Sequence, residues 1–302
     1  MGDPRRGRPD PGALLQTLRP EVPVRSLERL GAGDFCEAWL LNGHEVVRVP
    51  RHGEAARALA REACVLPEIA DQLPLAVPRP RLFGRPGNET SSFAVHERID
   101  GVALTRERWW SMAESMRVGL AGAVGSFLAA LHAVDPAVGD ACGVPSCDHR
   151  QRAGLLRERL AGIAGAVLPR PIRRTVDGRL TRYVDGGPEW AYRPALLNAD
   201  LGPDHVLFDP EHRAITGVID WGDVATGDPA RDFIFVYEDW GDDFLDAALN
   251  GYAREPKDRM LPRVHAHWLM DQLDWTLRAQ EGGRESDAGA GASFIIQHVL
   301  RT

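Results

Sequence analysis

Residues 196–220, LLNADLGPDHVLFDPEHRAITGVID, place Asp200, His205 and Asp220 at the ends of short apolar runs. The runs HVLFD and ITGVID are joined by the polar stretch PEHRA, a pattern that predicts a β-hairpin. Such a hairpin brings Asp200 and Asp220 to one edge, with His205 on the loop between them. The segment therefore predicts a cluster of two carboxylates and one imidazole.

This cluster contains the groups that phosphoryl transfer requires. One carboxylate can accept the proton of a hydroxyl while the other holds a divalent cation. Because catalysis of this reaction is mostly positioning and charge neutralisation, it also needs a cradle and a cation for the nucleotide phosphates. Gly31 and Gly33 lie in a predicted β-turn-β, where backbone N–H groups can approach phosphate. Arg48 on the next strand offers the cation, and Glu62 on the following helix can pair with it.

Each of these features is common when it stands alone, since a Gly-x-Gly pair is usually only a turn and charged helix residues usually face water. Their order along the chain is more specific. A glycine turn, a strand cation, a helix acid, a predicted hinge at 97–99, the first aspartate, the loop histidine and the strand-end aspartate follow one another, an order that resembles the protein-kinase arrangement.

The remaining pattern predicts an α+β protein of two lobes. Apolar alternation and an Asn42-Gly43 turn predict a β-meander, followed by one helix and two further strands. From Trp109 onward the pattern is mostly helical, and EGGRESDAGAGAS predicts a flexible interruption near the C-terminus. We expect a disordered tail at 1–22, a small nucleotide-binding lobe at 23–100, and a larger catalytic and substrate-binding lobe at 101–302.

Composition narrows the class of protein. At 302 residues, 44% hydrophobic and 26% charged, the chain is ordinary for a soluble globular protein. A formal net charge of −7 argues against nucleic acid as a partner. We find no signal peptide and no apolar run of membrane-spanning length, so we expect a cytoplasmic protein with no membrane partner. Four cysteines in a chain of this length predict no disulfide framework.

Two stretches carry a resemblance to a known family: NADLGPDHVLFD and ITGVIDWGDVATGDPARDF. They resemble the aminoglycoside phosphotransferase family of antibiotic kinases, whose pattern is His-x-Asp, four residues, Asn or His, then Ile-Asp-Trp/Phe-Gly-Asp and Gly-Asp-Pro-x-x-Asp-Phe. The likeness is dense only between Asn198 and Phe233. The branch that phosphorylates the 2″-hydroxyl of aminoglycosides is nearest, with some likeness to macrolide kinases. The resemblance implies a bilobal protein-kinase-like fold and a resistance enzyme that phosphorylates an antibiotic hydroxyl.

The resemblance also implies roles by motif position. Asp200 would be the base that orients and deprotonates the acceptor hydroxyl. His205 and Asp220 would ligate Mg²⁺, and Mn²⁺ should also support turnover because nitrogen ligands suit it. Asp232 would anchor the catalytic loop from the core. ATP or GTP would be the donor, and its predicted binding residues are Gly31, Gly33, Arg48, Glu62, Glu97, Arg98 and Ile99.

Three positions differ from the most common family residue. Asn198 stands where histidine usually braces the loop, and an amide can donate one hydrogen bond and accept another. We expect Asn198 to reduce activity, and a kinase-like protein that only binds nucleotide is the alternative. Arg48, the third catalytic candidate with Asp200 and Asn198, replaces the usual lysine and keeps the positive charge on a planar fork. His205 is a ligand seen in part of the family.

The acceptor is less well specified. Aminoglycosides are polycations, so we expect an acidic pocket beside Asp200, with Glu238, Asp239 and Asp271 as ligands and Trp275 as a stacking surface for sugar rings. A macrolide would instead need an apolar groove, and macrolide 2′-phosphorylation or another small-molecule acceptor remains an alternative. The sequence leaves ATP and GTP open as donors. A monomer is expected, with a dimer as the alternative.

Overall fold

The computed structural model describes residues 10–84, 92–162, 168–187 and 190–301. The small lobe contains an antiparallel five-stranded sheet in the order β1-β2-β3-β5-β4. Its strands are β1 Leu27–Ala32, β2 Cys36–Leu41, β3 Glu45–Pro50, β4 Arg81–Gly84 and β5 Ser92–Glu97. Asn42 and Gly43 join β2 to β3 with φ angles of 54° and 82°, which match the twist of a tight hairpin. The predicted hairpin is present.

Helix α2, Gly53–Ile69, is the main helix of the small lobe. Leu59 in its first half packs beneath the sheet with Cys36. Leu66 and Ile69 in its second half belong to the hydrophobic core of the large lobe. The helix is therefore packed by both lobes at once, which ties its position to theirs.

Helix α1, Pro11–Leu18, forms where the sequence predicts a disordered tail. Asp10 caps the helix and Pro11 begins it. Leu15 is buried in the small lobe's core. The prediction of disorder is wrong for this part of the tail, because a short amphipathic segment finds an apolar site that only the folded sheet provides. Residues 1–9 lie outside the described residues.

The large lobe is mostly helical, as predicted. Its helices are α3 Arg106–Ser111, α4 Glu114–Leu131, α5 Ala137–Ala141, α6 His149–Gly162, α7 Arg170–Asp185, α8 Ile234–Tyr252, α9 Lys257–Glu281 and α10 Glu285–Arg301. Its strands are β6 Val102–Ala103, β7 Ala195–Leu197, β8 Val206–Asp209, β9 Ala214–Val218 and β10 Ala225–Gly227. Strands β8 and β9 form the predicted hairpin, β6 pairs with β8, and β7 pairs with β10. Along the described ranges, no helix is long and apolar enough to cross a membrane.

The C-terminal helix corrects a second prediction. The stretch that the sequence analysis takes as flexible is helical from Glu285 onward. Gly291 lets α10 approach α9 closely, since a Cβ there would lie 2.1 Å from the Thr276 hydroxyl. The small residues that suggested flexibility are therefore used for helix contact.

A disulfide joins Cys64 in α2 to Cys142 at the end of α5. The two cysteines are 78 residues apart in sequence, and they meet because α2 packs beside α5. The sequence analysis expects no disulfide framework, and this bond shows that expectation to be wrong, since nothing local to either cysteine signals the contact. Cys36 and Cys147 are free thiols.

Candidate active site

Asp200, His205 and Asp220 lie together between the lobes, with potential metal-ligating atoms all within 4.8 Å of one another. The Nδ1 atom of His205 is 2.7 Å from the Asp200 carbonyl oxygen, and because a carbonyl can only accept, Nδ1 carries the proton. The Nε2 lone pair is then free, 3.7 Å from Oδ2 of Asp220. An unprotonated imidazole nitrogen and a carboxylate oxygen at this separation fit a shared cation.

The Asp200 carboxyl has an altered acidity. Burial raises its pKa to about 6, and the neighbouring His205 opposes that shift. Oδ2 of Asp200 lies 3.6 Å from Nδ1 of His205. A carboxyl group whose pKa is near the operating pH suits general-base chemistry.

Asn198 connects the two aspartate segments. Its Nδ2 donates to the Asp220 carbonyl at 2.9 Å, and its Oδ1 accepts from the Asp200 backbone N–H at 3.1 Å. The side chain is fully buried, so neither bond is replaced by water. Asn198 thus sets the spacing between the two carboxylates while touching neither carboxyl group.

Asp232 holds this loop from the core. Its carboxylate accepts the backbone N–H groups of Asn198 at 3.0 Å and Ala199 at 2.7 Å. His132, at the end of α4, lies 3.1 Å from the same carboxylate and 3.1 Å from the Tyr252 hydroxyl. Ala199 has a φ of 67°, which is unfavourable for a non-glycine residue and is held by these contacts.

Arg48 links the lobes across the cleft. Its Nη1 contacts both carboxylate oxygens of Glu62, at 2.5 and 2.6 Å, and its Nη2 lies 3.3 Å from Oδ1 of Asp220. Glu62 is fully buried. The planar fork reaches one acid in each lobe, a geometry that a single ammonium does not reproduce.

A cavity of about 980 Å³ opens between the lobes above this cluster. The predicted site residues on its walls are Gly31, Gly33, Arg48, Arg98, Ile99, Asp200, His205 and Asp220. A Cβ at Gly31 or Gly33 would meet nothing within 4 Å, so the turn leaves open space at both positions. This cavity has the glycine turn, the cation and the acidic cluster on one surface.

A second cavity of about 950 Å³ begins on the other side of Asp200. All of the predicted acceptor residues line it: Asp200, Glu238, Asp239, Asp271 and Trp275. Its walls carry seven carboxylates and three guanidinium groups, so its formal charge is negative. Trp275 is 39% exposed and presents a ring to this space.

Comparison with known proteins decides the family. The model of the phosphotransferase enzyme family matches residues 34–267. The chain belongs to the phosphotransferase enzyme family.

This phosphotransferase is 26% identical to viomycin phosphotransferase of Streptomyces vinaceus, over 93% of its own chain and 96% of that protein. Its fold is similar to the GDP and kanamycin complex of APH(2″)-IIIa, with a TM-score of 0.84, 23% identity, and 96% and 98% of the two chains covered. It is also similar to the macrolide 2′-phosphotransferase MphH of Brachybacterium faecium, with a TM-score of 0.66, 25% identity, and 89% and 90% covered. These findings confirm the bilobal protein-kinase-like fold and a phosphotransferase with an alcohol group as acceptor.

Some predicted nucleotide residues are placed differently from the expectation. Glu62 lies behind Arg48 rather than on the cavity wall. Glu97 lines another cavity, with His44 and Glu45, and is absent from the walls of the nucleotide cavity, whereas Arg98 and Ile99 line both. The backbone N–H of Gly33 already donates to the Cys36 carbonyl at 3.0 Å, so this amide closes the turn.

The phosphotransferase has a site residue that the sequence analysis misses. Asp223 lines both cavities. Desolvation raises the pKa of its carboxyl group, and the nearby Asp220 carboxylate raises it further. The signal was available, since Asp223 is the second aspartate of the quoted IDWGD motif.

Two arginines pair with Asp271 and give no sign of doing so in the sequence. Arg152 of α6 lies 2.6 Å from its carboxylate, and Arg231, in the turn before α8, also contacts it.

Proposed function

We propose that this phosphotransferase transfers the terminal phosphoryl group of ATP or GTP to a hydroxyl of an aminoglycoside antibiotic. The observation that supports it most directly is the position of Asp200, which lies on the walls of both cavities and beside His205 and Asp220. One cavity has the glycine turn and Arg48 for a nucleotide. The other has acidic walls for a cationic acceptor.

The roles follow from the contacts. Asp200 takes the proton of the attacking hydroxyl, and Asn198 holds its backbone in place. Arg48 faces the phosphates with positive charge, oriented by Glu62. His205 and Asp220 would hold Mg²⁺, or Mn²⁺ in its place, because the free Nε2 and the carboxylate make a suitable donor pair. When bound, the ion neutralises charge on the phosphates.

The nucleotide base would lie against the hinge. Arg98 and Ile99 line the donor cavity, and Glu97 belongs to the same segment. Gly31 and Gly33 leave room for phosphates beneath the turn. Recognition through the backbone of the hinge does not by itself favour ATP over GTP.

The charge of the acceptor cavity favours aminoglycosides over macrolides. Glu238 and Asp239 lie on the wall near Asp200, where ammonium groups would find carboxylates. Trp275 offers a face for a sugar ring. Asp271 is already paired with Arg152 and Arg231, so we assign it to shaping the wall rather than to direct charge recognition.

Viomycin is the second candidate acceptor. The likeness to viomycin phosphotransferase covers nearly the whole length of both proteins. The negative charge of the acceptor cavity is compatible with any cationic antibiotic, so charge alone does not separate the two candidates.

The test is a transfer assay with Mg²⁺, using ATP and GTP in turn against kanamycin, gentamicin, viomycin and erythromycin. We expect nucleotide consumption that depends on an aminoglycoside, with phosphorylated product detected by mass spectrometry. Asp200→Asn should lower the rate by about 10³-fold while nucleotide binding persists. Nucleotide binding without transfer to any of these acceptors would instead identify a binding protein, and preferred turnover of viomycin or erythromycin would replace the aminoglycoside assignment.

A further inference from the structure

The Cys64–Cys142 disulfide is a second covalent connection between the lobes. The first is the hinge that follows β5 and leads into β6. The disulfide joins α2, the helix that carries Glu62, to α5 in the large lobe. The mechanism described above does not use it.

Cys64 lies close to the part of α2 that serves the nucleotide cavity. It is two residues after Glu62, whose carboxylate contacts Arg48, which in turn reaches Asp220. A shift of this turn of the helix moves Glu62 directly. The bond is therefore placed to control the alignment of Arg48 across the cleft.

Hydrophobic packing holds only part of this helix to the large lobe. Val65, Leu66 and Ile69, which follow Cys64 in α2, are buried in the large lobe's core. Leu59, before Glu62, packs with the small-lobe sheet. The cross-link acts where the packing passes from one lobe to the other, so opening it should loosen this turn without unfolding the helix.

The bond is accessible to small reagents. Cys64 is exposed and Cys142 is partly exposed, as thiol–disulfide exchange requires. Cys36 is buried, and burial raises the pKa of its thiol to about 11, so it is a poor competitor for exchange at neutral pH. Cys147 lines the acceptor cavity, which neither Cys64 nor Cys142 lines.

We propose that Cys64 and Cys142 form a reversible oxidation site whose closed form holds α2 in the nucleotide-binding position. On closing, the two thiols lose two electrons and two protons, and a low-molecular-weight disulfide such as oxidised glutathione is reduced to two thiols. On opening, the thiolate of a small thiol such as glutathione attacks one sulfur and releases the other as a thiolate. A second small thiol then releases the remaining cysteine from the mixed disulfide and leaves as the low-molecular-weight disulfide. The proposal rests on the proposed function only in taking a nucleotide as the ligand.

The experiment compares oxidised and reduced protein. Thiol titration after denaturation should find two thiols in the oxidised protein and four in the reduced one. Calorimetric titration with ADP and with GDP, each with Mg²⁺, should show binding about fivefold weaker in the reduced protein. The double variant Cys64→Ser, Cys142→Ser should bind like the reduced protein and should not respond to reductant, although it keeps Cys36 and Cys147.

Two results would overturn the proposal. One is four titratable thiols in protein treated with oxidised glutathione. The other is equal nucleotide affinity in the two states with only a change in melting temperature, which would make the bond purely structural. Both measurements work without an acceptor, so a wrong acceptor assignment leaves the test intact.

Discussion

Three side chains in the cleft each bridge two segments of the chain. Asn198 uses its amide nitrogen and oxygen in opposite directions, Arg48 divides its fork between Glu62 and Asp220, and His205 uses one ring nitrogen on the Asp200 carbonyl while the other faces Asp220. Bridging of this kind explains how Asn198 can take the place of a bracing histidine. It also makes near-isosteric substitutions informative.

Asn198→Asp should lower kcat by about 10- to 100-fold with little change in nucleotide affinity. The substitution keeps the acceptor for the Asp200 N–H but replaces the donor by an oxygen that faces the Asp220 carbonyl. An unsatisfied buried polar contact costs about 1–3 kcal/mol. Steady-state kinetics and nucleotide titration measure both quantities. Asn198→His, which introduces the residue that the resemblance places here, should be more active than Asn198→Asp, and an unchanged kcat in Asn198→Asp would contradict the bracing role.

Asp223→Asn should raise KM for an aminoglycoside about 10-fold. Asp223 is a carboxylate on the acceptor wall beside Asp200, so it should attract an ammonium group near the reacting hydroxyl. Glu211→Gln, the same charge change on the exposed β8–β9 turn, is the matched control. Equal effects of the two substitutions would show that only net charge matters.

Helices α4 and α8 pack very closely against each other, and this contact supports the candidate active site. A Cβ at Gly125 in α4 would lie 1.9 Å from the Ala248 carbonyl oxygen of α8, and one at Gly251 would lie 2.3 Å from the Gly122 carbonyl oxygen. This contact fixes the end of α4, where His132 supports Asp232. The packing of α4 on α8 thus supports the Asn198–Asp200 loop through the buried pair of His132 and Asp232.

Gly125→Ala should destabilise the protein by about 1–3 kcal/mol or more, because the added methyl group meets backbone that has no room to move. Gly119→Ala on the same helix meets nothing within 4 Å and should be stabilising by about 0.5–1 kcal/mol through reduced backbone entropy. Urea unfolding of both variants checks the pair. A Gly125→Ala protein as stable as Gly119→Ala would show that the helices can separate.

Across the whole molecule, several buried histidines are held neutral. Burial lowers the pKa of His96 to about 4 and those of His149 and His298 to about 3. They lie in different parts of the fold, on β5, α6 and α10. Their common state makes the histidines' own contribution to stability depend on pH in one direction.

The free energy of unfolding should fall as pH drops below about 6.5. In the unfolded chain these histidines bind protons near their ordinary pKa of about 6.5, whereas the folded state does not, so acid favours unfolding. Each should contribute a slope of up to about 1.4 kcal/mol per pH unit. Urea midpoints near pH 7.5 and pH 5 measure it. His149→Gln should reduce the slope, and His44→Gln, at an exposed position, should not.

Much of the site could be predicted because its parts lie in short patterned segments. Residues 198–232 contain the proposed base, the ligand candidates, the loop anchor and the overlooked Asp223, and one hairpin and one turn bring them together. The Asn42-Gly43 hairpin, the hydrophobic periodicity of α2 and the order of the motifs likewise depend on neighbours in sequence. Local geometry limits such segments to few conformations, so their sequence is enough to specify them.

Long-range packing decided the remainder. The docking of α1, the approach of α10 to α9 at Gly291, the Cys64–Cys142 bond and the two arginines on Asp271 each join surfaces far apart in sequence. Such contacts form only after the helices and sheets have packed, and their partners carry no local sign of one another. The residues proposed to carry the chemistry of the cleft therefore lie in contiguous sequence motifs. The shape and charge balance of its walls depend instead on how distant elements pack against one another.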